Sequence, residues 1–260
     1  MAKTLHFTFG GPATPARAEE LDRWQREHLA QACSLPGVVA AHLYRPSGAQ
    51  LPRTTVELPP SLVIYEYETD DLAADVDAMW AARVEGARRG AYEPGASIPG
   101  PPDGVFAADW RYEAAHYNVI SRTPRTPGWR LTGSTIFLVW VAAKAPALEE
   151  ELLRWYVDGH LEEICGLPGV VSGQLLRPGR VQLPRASDKL PELLGFYECE
   201  TDDLPGAIEA AWAAHRRGLE TGVYEPGRSI PTPTDIVAVD PRYESAYYDL
   251  VASVSGAGAG

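Results

Sequence analysis

The amino-acid sequence predicts an α+β fold of two tandem βαββαβ units packed sheet to sheet, and three observations carry that prediction. The chain is written twice: residues 28–99 laid on 160–231 without a gap give 38 identities in 72 positions. Strand-like and helix-like periods of apolar residues follow each other in the same order in both copies. The first strands are apolar at nearly every position, as in Ile136-Phe-Leu-Val-Trp140, which suits a sheet buried on both faces.

The elements follow in order. Residues 5–9 and 136–141 are β-rich runs and read as first strands. Residues 15–33 and 146–165 place apolar residues near helical spacing and read as first helices. Leu35-Pro-Gly37 and Leu167-Pro-Gly169 stop these helices, because proline has no place in a helix interior and glycine readily takes the turn. Second strands are predicted at 38–44 and 170–176, then a loop that opens on Arg-Pro in each copy, then third strands at 62–68 and 193–200. Thr69-Asp-Asp-Leu72 and Thr201-Asp-Asp-Leu204 read as helix N-termini, with Thr or Asp as the cap and acids facing the positive end of the dipole. Second helices at 72–89 and 204–220 carry Trp80 and Trp212, read as core residues packing on the sheet. Tyr92-Glu-Pro-Gly95 and Tyr224-Glu-Pro-Gly227 are rigid turns that lead into fourth strands near 105–112 and 236–243. This is the ferredoxin-like order. The expected domains are a first repeat at 1–120, a Pro/Gly-rich linker at 121–131, a second repeat at 132–250 and a flexible tail at 251–260.

Composition narrows the function. The formal charge of −12, from 35 acids against 23 bases, argues against a phosphate backbone, so no nucleic-acid partner is expected. No apolar run reaches the roughly 18 residues of a membrane span, and the N-terminal residues lack the apolar core of a secretory signal. The three cysteines, Cys33, Cys165 and Cys199, contain no CxxC pair and are too few for a disulfide framework. A reduced, cytoplasmic protein acting on a small hydrophobic or aromatic molecule is the expectation, with no metal site.

The first helices carry a further pattern. Trp155-Tyr156 precedes His160-Leu161 and Glu163, and Trp24 precedes Glu27-His28-Leu29, each followed by Pro-Gly and a strand. On these residues the chain resembles the dimeric α+β barrel superfamily, and within it a bacterial group whose first helix reads Trp-Tyr-x-x-Glu-His-Leu-Pro-Glu. Gly159 stands where that motif has its glutamate, Arg23 where it has tryptophan and Trp24 where it has tyrosine. The resemblance covers both halves and implies an intramolecular α+β barrel, a monomer with an internal pseudo-dimer that is free to dimerise further. The superfamily includes cofactor-free monooxygenases, polyketide cyclases, lactone isomerases and haem proteins.

His28 and His160 are the leading candidates for chemistry. Each lies four residues after an aromatic ring, Trp24 or Tyr156, which puts imidazole and ring on one helical face. A histidine near neutral pKa exchanges protons with an acidic carbon or enol; the alternative is that it fixes the helix-to-strand turn. Tyr65 and Tyr197, beside Glu66 and Glu198, sit mid third strand, where alternation sends Tyr and Glu to opposite faces. A buried phenol donates to an enolate oxygen; the alternative is a core tyrosine with a satisfied hydroxyl. His6, Thr8, His42 and Tyr44 in the first copy face Phe137, Val139, Gln174 and Leu176 in the second. If their faces coincide, the first copy holds a polar substrate pocket, with Trp24 and Tyr156 as further binding residues, and the second is a buttress.

The function expected is therefore a small-molecule enzyme without a bound cofactor, using His/Tyr acid–base chemistry as a cyclase, isomerase or lyase on a cyclic, aromatic or polyketide-like substrate. The alternatives are a cofactor-free monooxygenase, a haem-binding barrel with His28 or His160 as proximal ligand, and a non-catalytic ligand-binding accessory protein.

Overall fold

The computed structural model describes residues 2–54, 57–109, 114–123, 130–184, 192–239 and 245–256. The first half runs β1 (Ala2–Pro12), α1 (Ala18–Ala32), β2 (Val38–Pro46), β3 (Ser61–Thr69), α2 (Leu72–Arg89), β4 (Phe106–Ala108) and β5 (Ala115–Arg122). The second runs β6 (Thr135–Ala143), α3 (Glu149–Trp155), a π-turn (Tyr156–His160), α4 (Leu161–Cys165), β7 (Val170–Pro178), β8 (Leu193–Cys199), α5 (Leu204–Thr221), β9 (Val237–Val239) and β10 (Ala246–Ser255).

The local signals act as chemistry requires. Asp71 and Asp203 cap α2 and α5, accepting from the N–H groups of Ala74 at 3.1 Å and Gly206 at 2.9 Å. After the first helices, Gly37 and Gly169 take φ of 73° and 78°, so each Leu-Pro-Gly turn depends on a residue without a side chain.

Eight strands close into a ring in the order β10, β2, β3, β1, β5, β7, β8 and β6, with β6 returning to β10; every one of these pairings is antiparallel. The two half-sheets face each other across the interior. Leu5, Phe7, Phe9, Leu62 and Ile64 meet Ile136, Leu138, Trp140, Leu194 and Phe196 there, all at most 2% exposed. The alternate residues of the same strands point outward and are covered by the helices, giving one further core per half. This is the ferredoxin-like α+β barrel that the repeat and the element order predict.

The edges differ from the expectation. Among the described residues, the runs expected as fourth strands hold the three-residue β4 and β9, which hang on β1 and β6 outside the ring; Tyr112 and Tyr243 lie outside the described residues. The strands that close the ring are β5 and β10, and each joins its own half to the other: β5 lies between β1 and β7, and β10 between β6 and β2. Ser121 and Arg122, expected in a linker, pair with Leu175 and Gln174. Residues 251–255, expected in a flexible tail, belong to β10, where Ser255 pairs with Ala40. The reason is one of partners: these polar, alternating segments gain their hydrogen bonds from the opposite half.

The loops after β2 and β7 cross over in the same way. Gln50 pairs with both backbone groups of Tyr247, at 2.8 and 2.9 Å, and Gln182 does the same to His116, at 2.8 Å each. Leu51 thereby enters the core of the second half and Leu183 that of the first. Gln182→Ala leaves the buried His116 N–H without its acceptor. We expect a loss of about 1–3 kcal/mol in urea unfolding; an unchanged midpoint would show that the glutamine does not hold the arm.

Candidate functional site

The outward faces of the two halves are not equivalent. In the second, β6 presents Phe137, Val139 and Val141 and β8 presents Tyr197 toward the helices. Trp155 ends α3, Tyr156 and His160 bound the π-turn, Trp212 and His215 come from α5, and Arg53 arrives on the crossing arm of the first half. These side chains enclose a cavity of about 80 Å³. The corresponding space in the first half, lined by His6, His28, Tyr65, Tyr67, Met79 and Arg83, is about 10 Å³.

Volume accounts for the difference. Tyr67 and Met79 fill the first-half space, the Tyr67 hydroxyl lying 2.9 Å from Met79 Sδ. Cys199 and Ala211 stand at the matching positions of the repeat. Of these two spaces the larger is thus in the second copy, whereas the sequence led us to expect a pocket in the first.

The first helices also match differently from the motif alignment. Trp24 stacks on His28 at 4.5 Å between centroids and 19°, and Trp155 stacks on His160 at 3.9 Å and 22°. The tryptophans are therefore the structural equivalents, although four residues separate the first pair and five the second. The π-turn Tyr156–His160 takes up the additional residue.

His160 is the site's central polar group. Its ring lies flat on Trp155 and edge-on to Tyr156 at 5.0 Å, and Nδ1 lies 3.3 Å from Glu163 Oε2. Burial lowers its pKa, opposed in part by Glu163, so the imidazole is neutral at pH 7. His215 is pushed down to about 4 by burial first and then by the charge of Arg53. Burial raises Tyr156 and Tyr197, which remain protonated donors. Arg53 Nε donates to Ser245 Oγ at 3.1 Å, and its charge acts on Tyr156, Tyr247 and His215. Outside, an open groove of about 470 Å³ shares Trp155 and His160 with the cavity and is lined by Glu151, Arg154, Asp158 and Glu163.

The other predicted residues divide between two places. His6, Thr8, His28 and Tyr65 face the first-half helices. Thr8 Oγ1 lies 3.2 Å from His6 Nε2, His6 packs on His116 at 4.2 Å, and Tyr65 stands edge-on to His28 at 6.4 Å. His42 and Tyr44 instead face the barrel interior, so the two polar pairs do not share a face as expected. The bulge of β2 and the alternation of β1 set their directions independently. There His42 Nε2 lies 2.6 Å from Glu66 Oε1 and Nδ1 3.0 Å from Ser253 Oγ. Glu66 and Glu198, on the face opposite Tyr65 and Tyr197, are each 1% exposed. Glu66 also accepts the Leu131 N–H at 3.0 Å; Glu198 accepts Thr132 N–H, Gly133 N–H and Ser172 Oγ at 2.5 to 2.6 Å.

Sequence reasoning missed Trp155 as the stacking partner, read Trp212 as core alone, and passed over Arg53 and His215. His215 carried a signal, since Arg83 stands opposite it in the repeat; Arg53 carried none, because its repeat partner is also arginine.

Among the described residues no group of three His, Cys, Asp or Glu is placed to hold a metal ion. Haem also fits poorly. His160 has the carboxylate at Nδ1 that a metal-binding imidazole uses. Yet the cavity at its ring is about 80 Å³, and the roomier groove is lined by Glu151, Asp158 and Glu163, whose carboxylates would oppose the two acidic groups of a haem. No step is routed through haem.

The fold and site together define a ferredoxin-like α+β barrel whose second half encloses an aromatic, histidine-walled cavity. No family model and no curated protein matches the chain. Solved structures do. An anthrone oxidase-like protein matches with a TM-score of 0.62 at 14% identity over 99% of this chain and 94% of its own. A protein of Fusobacterium nucleatum provisionally described as a monooxygenase matches with a TM-score of 0.52 at 9% identity, over 97% and 93%. A protein provisionally described as a chlorite dismutase matches with a TM-score of 0.51 at 11% identity, over 97% and 96%. At these identities the likeness establishes the fold.

The buried histidines make a prediction about acid. Burial lowers His28 to about 3 and His116 to about 4. Above about pH 6.5 both states of the chain leave them neutral. Below it the unfolded chain takes up protons that the folded chain refuses, so stability falls as pH falls toward the folded pKa values. Each histidine adds about 1.4 kcal/mol per pH unit to that slope. Urea unfolding between pH 7 and 5 is expected to show the decline, and His116→Phe to flatten it.

Proposed function

We propose that the chain is an enzyme without a resident cofactor. It takes a small aromatic or polyketide-like molecule into the second-half cavity and removes a proton from it through His160. The observation that carries this reading is a neutral imidazole on the wall of an aromatic, largely apolar cavity, stacked on Trp155 and backed by Glu163. Neutral histidine is the form that accepts a proton, and Glu163 favours the imidazolium that results. Trp155, Trp212 and Phe137 supply flat surfaces that orient a ring, and Tyr197 is the donor within reach of developing negative charge. In this reading the first-half residues His28 and Tyr65 are filled-in counterparts, and His6, Thr8, His42 and Tyr44 serve packing.

The carbanion so formed has two fates: rearrangement, as in an isomerase, cyclase or lyase, or capture by dioxygen. The likeness to the anthrone oxidase-like structure supports the second. A methylene flanked by aromatic rings would lose its first proton to His160, and the carbanion would pass an electron to dioxygen and join it as a hydroperoxide. Loss of water then leaves a ketone, so that one oxygen atom enters the product and the other departs as water.

The test is oxygen uptake with hydroxylated anthrones and related aromatic ketones. His160→Ala is expected to lower kcat/KM by about 10²–10⁴ with an unchanged circular dichroism spectrum, and His28→Ala to leave it within about threefold. Binding with no turnover by the wild type would point to a ligand carrier instead. A Soret band after reconstitution with haem would overturn the cofactor-free reading.

A further inference from the structure

The second half differs from the first in a set of changes that converge on one point. Its first helix holds one residue more between the stacked tryptophan and histidine, and the helix accommodates it as the π-turn without losing the stack. Tyr156, directly after Trp155, is turned inward and is 2% exposed. On the strand beneath, Gly195 stands where the first half has Val63. A Cβ at Gly195 would come within 3.2 Å of the Tyr197 hydroxyl and 3.5 Å of the Tyr156 hydroxyl. The two phenols therefore meet over the one position in β8 that has no side chain. The Tyr197 hydroxyl is buried, and the polar group it faces is the Tyr156 hydroxyl. The lining of the cavity includes Arg53 and no carboxylate.

We propose that Tyr156 and Tyr197 form a two-donor receptor for an oxygen bearing negative charge, so that the site selects phenolates and enolates over neutral arenes. The inference rests on the proposed function for its cavity, and adds which atom of the ligand is read and by what. Two hydroxyls converging on one oxygen outdo one because each donor to a charged acceptor is stronger than a neutral hydrogen bond. Their placement before the ligand arrives removes the reorganisation that water would require. The π-turn is thus the device that turns a filled repeat into a selective one: an α-helical turn of the first-half length would not carry both Tyr156 and the Trp155–His160 stack.

The experiment compares 4-nitrophenol, largely ionised at pH 8, with nitrobenzene, which has the same ring and nitro group and no hydroxyl. Binding is followed by quenching of tryptophan fluorescence. Wild type is expected to prefer the phenolate by about tenfold or more. Tyr156→Phe and Tyr197→Phe are each expected to cut that preference about fivefold while leaving nitrobenzene affinity within about twofold. Gly195→Ala, which intrudes between the hydroxyls, is expected to do the same. A preference unchanged in both phenylalanine variants would overturn the receptor while leaving the cavity intact. Failure of wild type to bind either compound would overturn the cavity reading itself and the receptor with it.

Discussion

The exchange of edge strands between the halves is the constraint on which the rest of this structure depends. A half with strands β1 to β3 has two open edges and an apolar face. The ring closes only because β5 crosses to β7 and β10 crosses to β2. Closure removes the unpaired edges that would otherwise invite association. It also fixes where the arms go, since Gln50 and Gln182 can grip Tyr247 and His116 only when β10 and β5 are in place. Through the first arm Arg53 reaches the cavity of the opposite half. The site is therefore a product of both repeats, although its volume lies in one.

The barrel interior carries two carboxylates, an unusual burden for a hydrocarbon core. A buried charge is tolerated only when its oxygens are met by donors. Glu66 Oε1 meets His42 and Leu131 N–H, while Oε2 makes no hydrogen bond among the described residues and has Arg130 at 3.6 Å; Glu198 meets Thr132 N–H, Gly133 N–H and Ser172. Most of those donors come from the segment just ahead of β6. The two repeat-related acids thus clamp the chain where it enters the second half, and at this end of the barrel polarity is structural.

Much of this architecture was legible because it is written in local chemistry. The Leu-Pro-Gly stops, the Asp71 and Asp203 caps and the period-two apolar runs each specify their own element, and the repeat confirms each reading with a second copy. The exchanged strands were not legible. Ala115–Arg122 and Ala246–Ser255 owe their conformation to partners in the other half, and no local property of Ser121 or Ser255 encodes them. Looking where the copies disagree located the site's difference but with the wrong sign. Polarity drew attention to His6 and Thr8, whereas the cavity is made by loss of bulk at Cys199 and Ala211 and by one more residue in a helix.

The order of strands around the ring has a consequence for how the protein is made. β2 is paired on one side by β3 within the first seventy residues, but its other side waits for β10, where Tyr44 meets Leu250. During synthesis the first half therefore leaves the ribosome with an unclosed edge that stays open until β10 has been made. Until then the nascent chain is an incomplete cylinder, exposed to pairing with neighbours. Strand β10 ends that exposure, and the residues that close the ring on β2, 248–255, follow Tyr247, the β10 residue on the cavity wall, so their loss would open the ring before it touched the cavity.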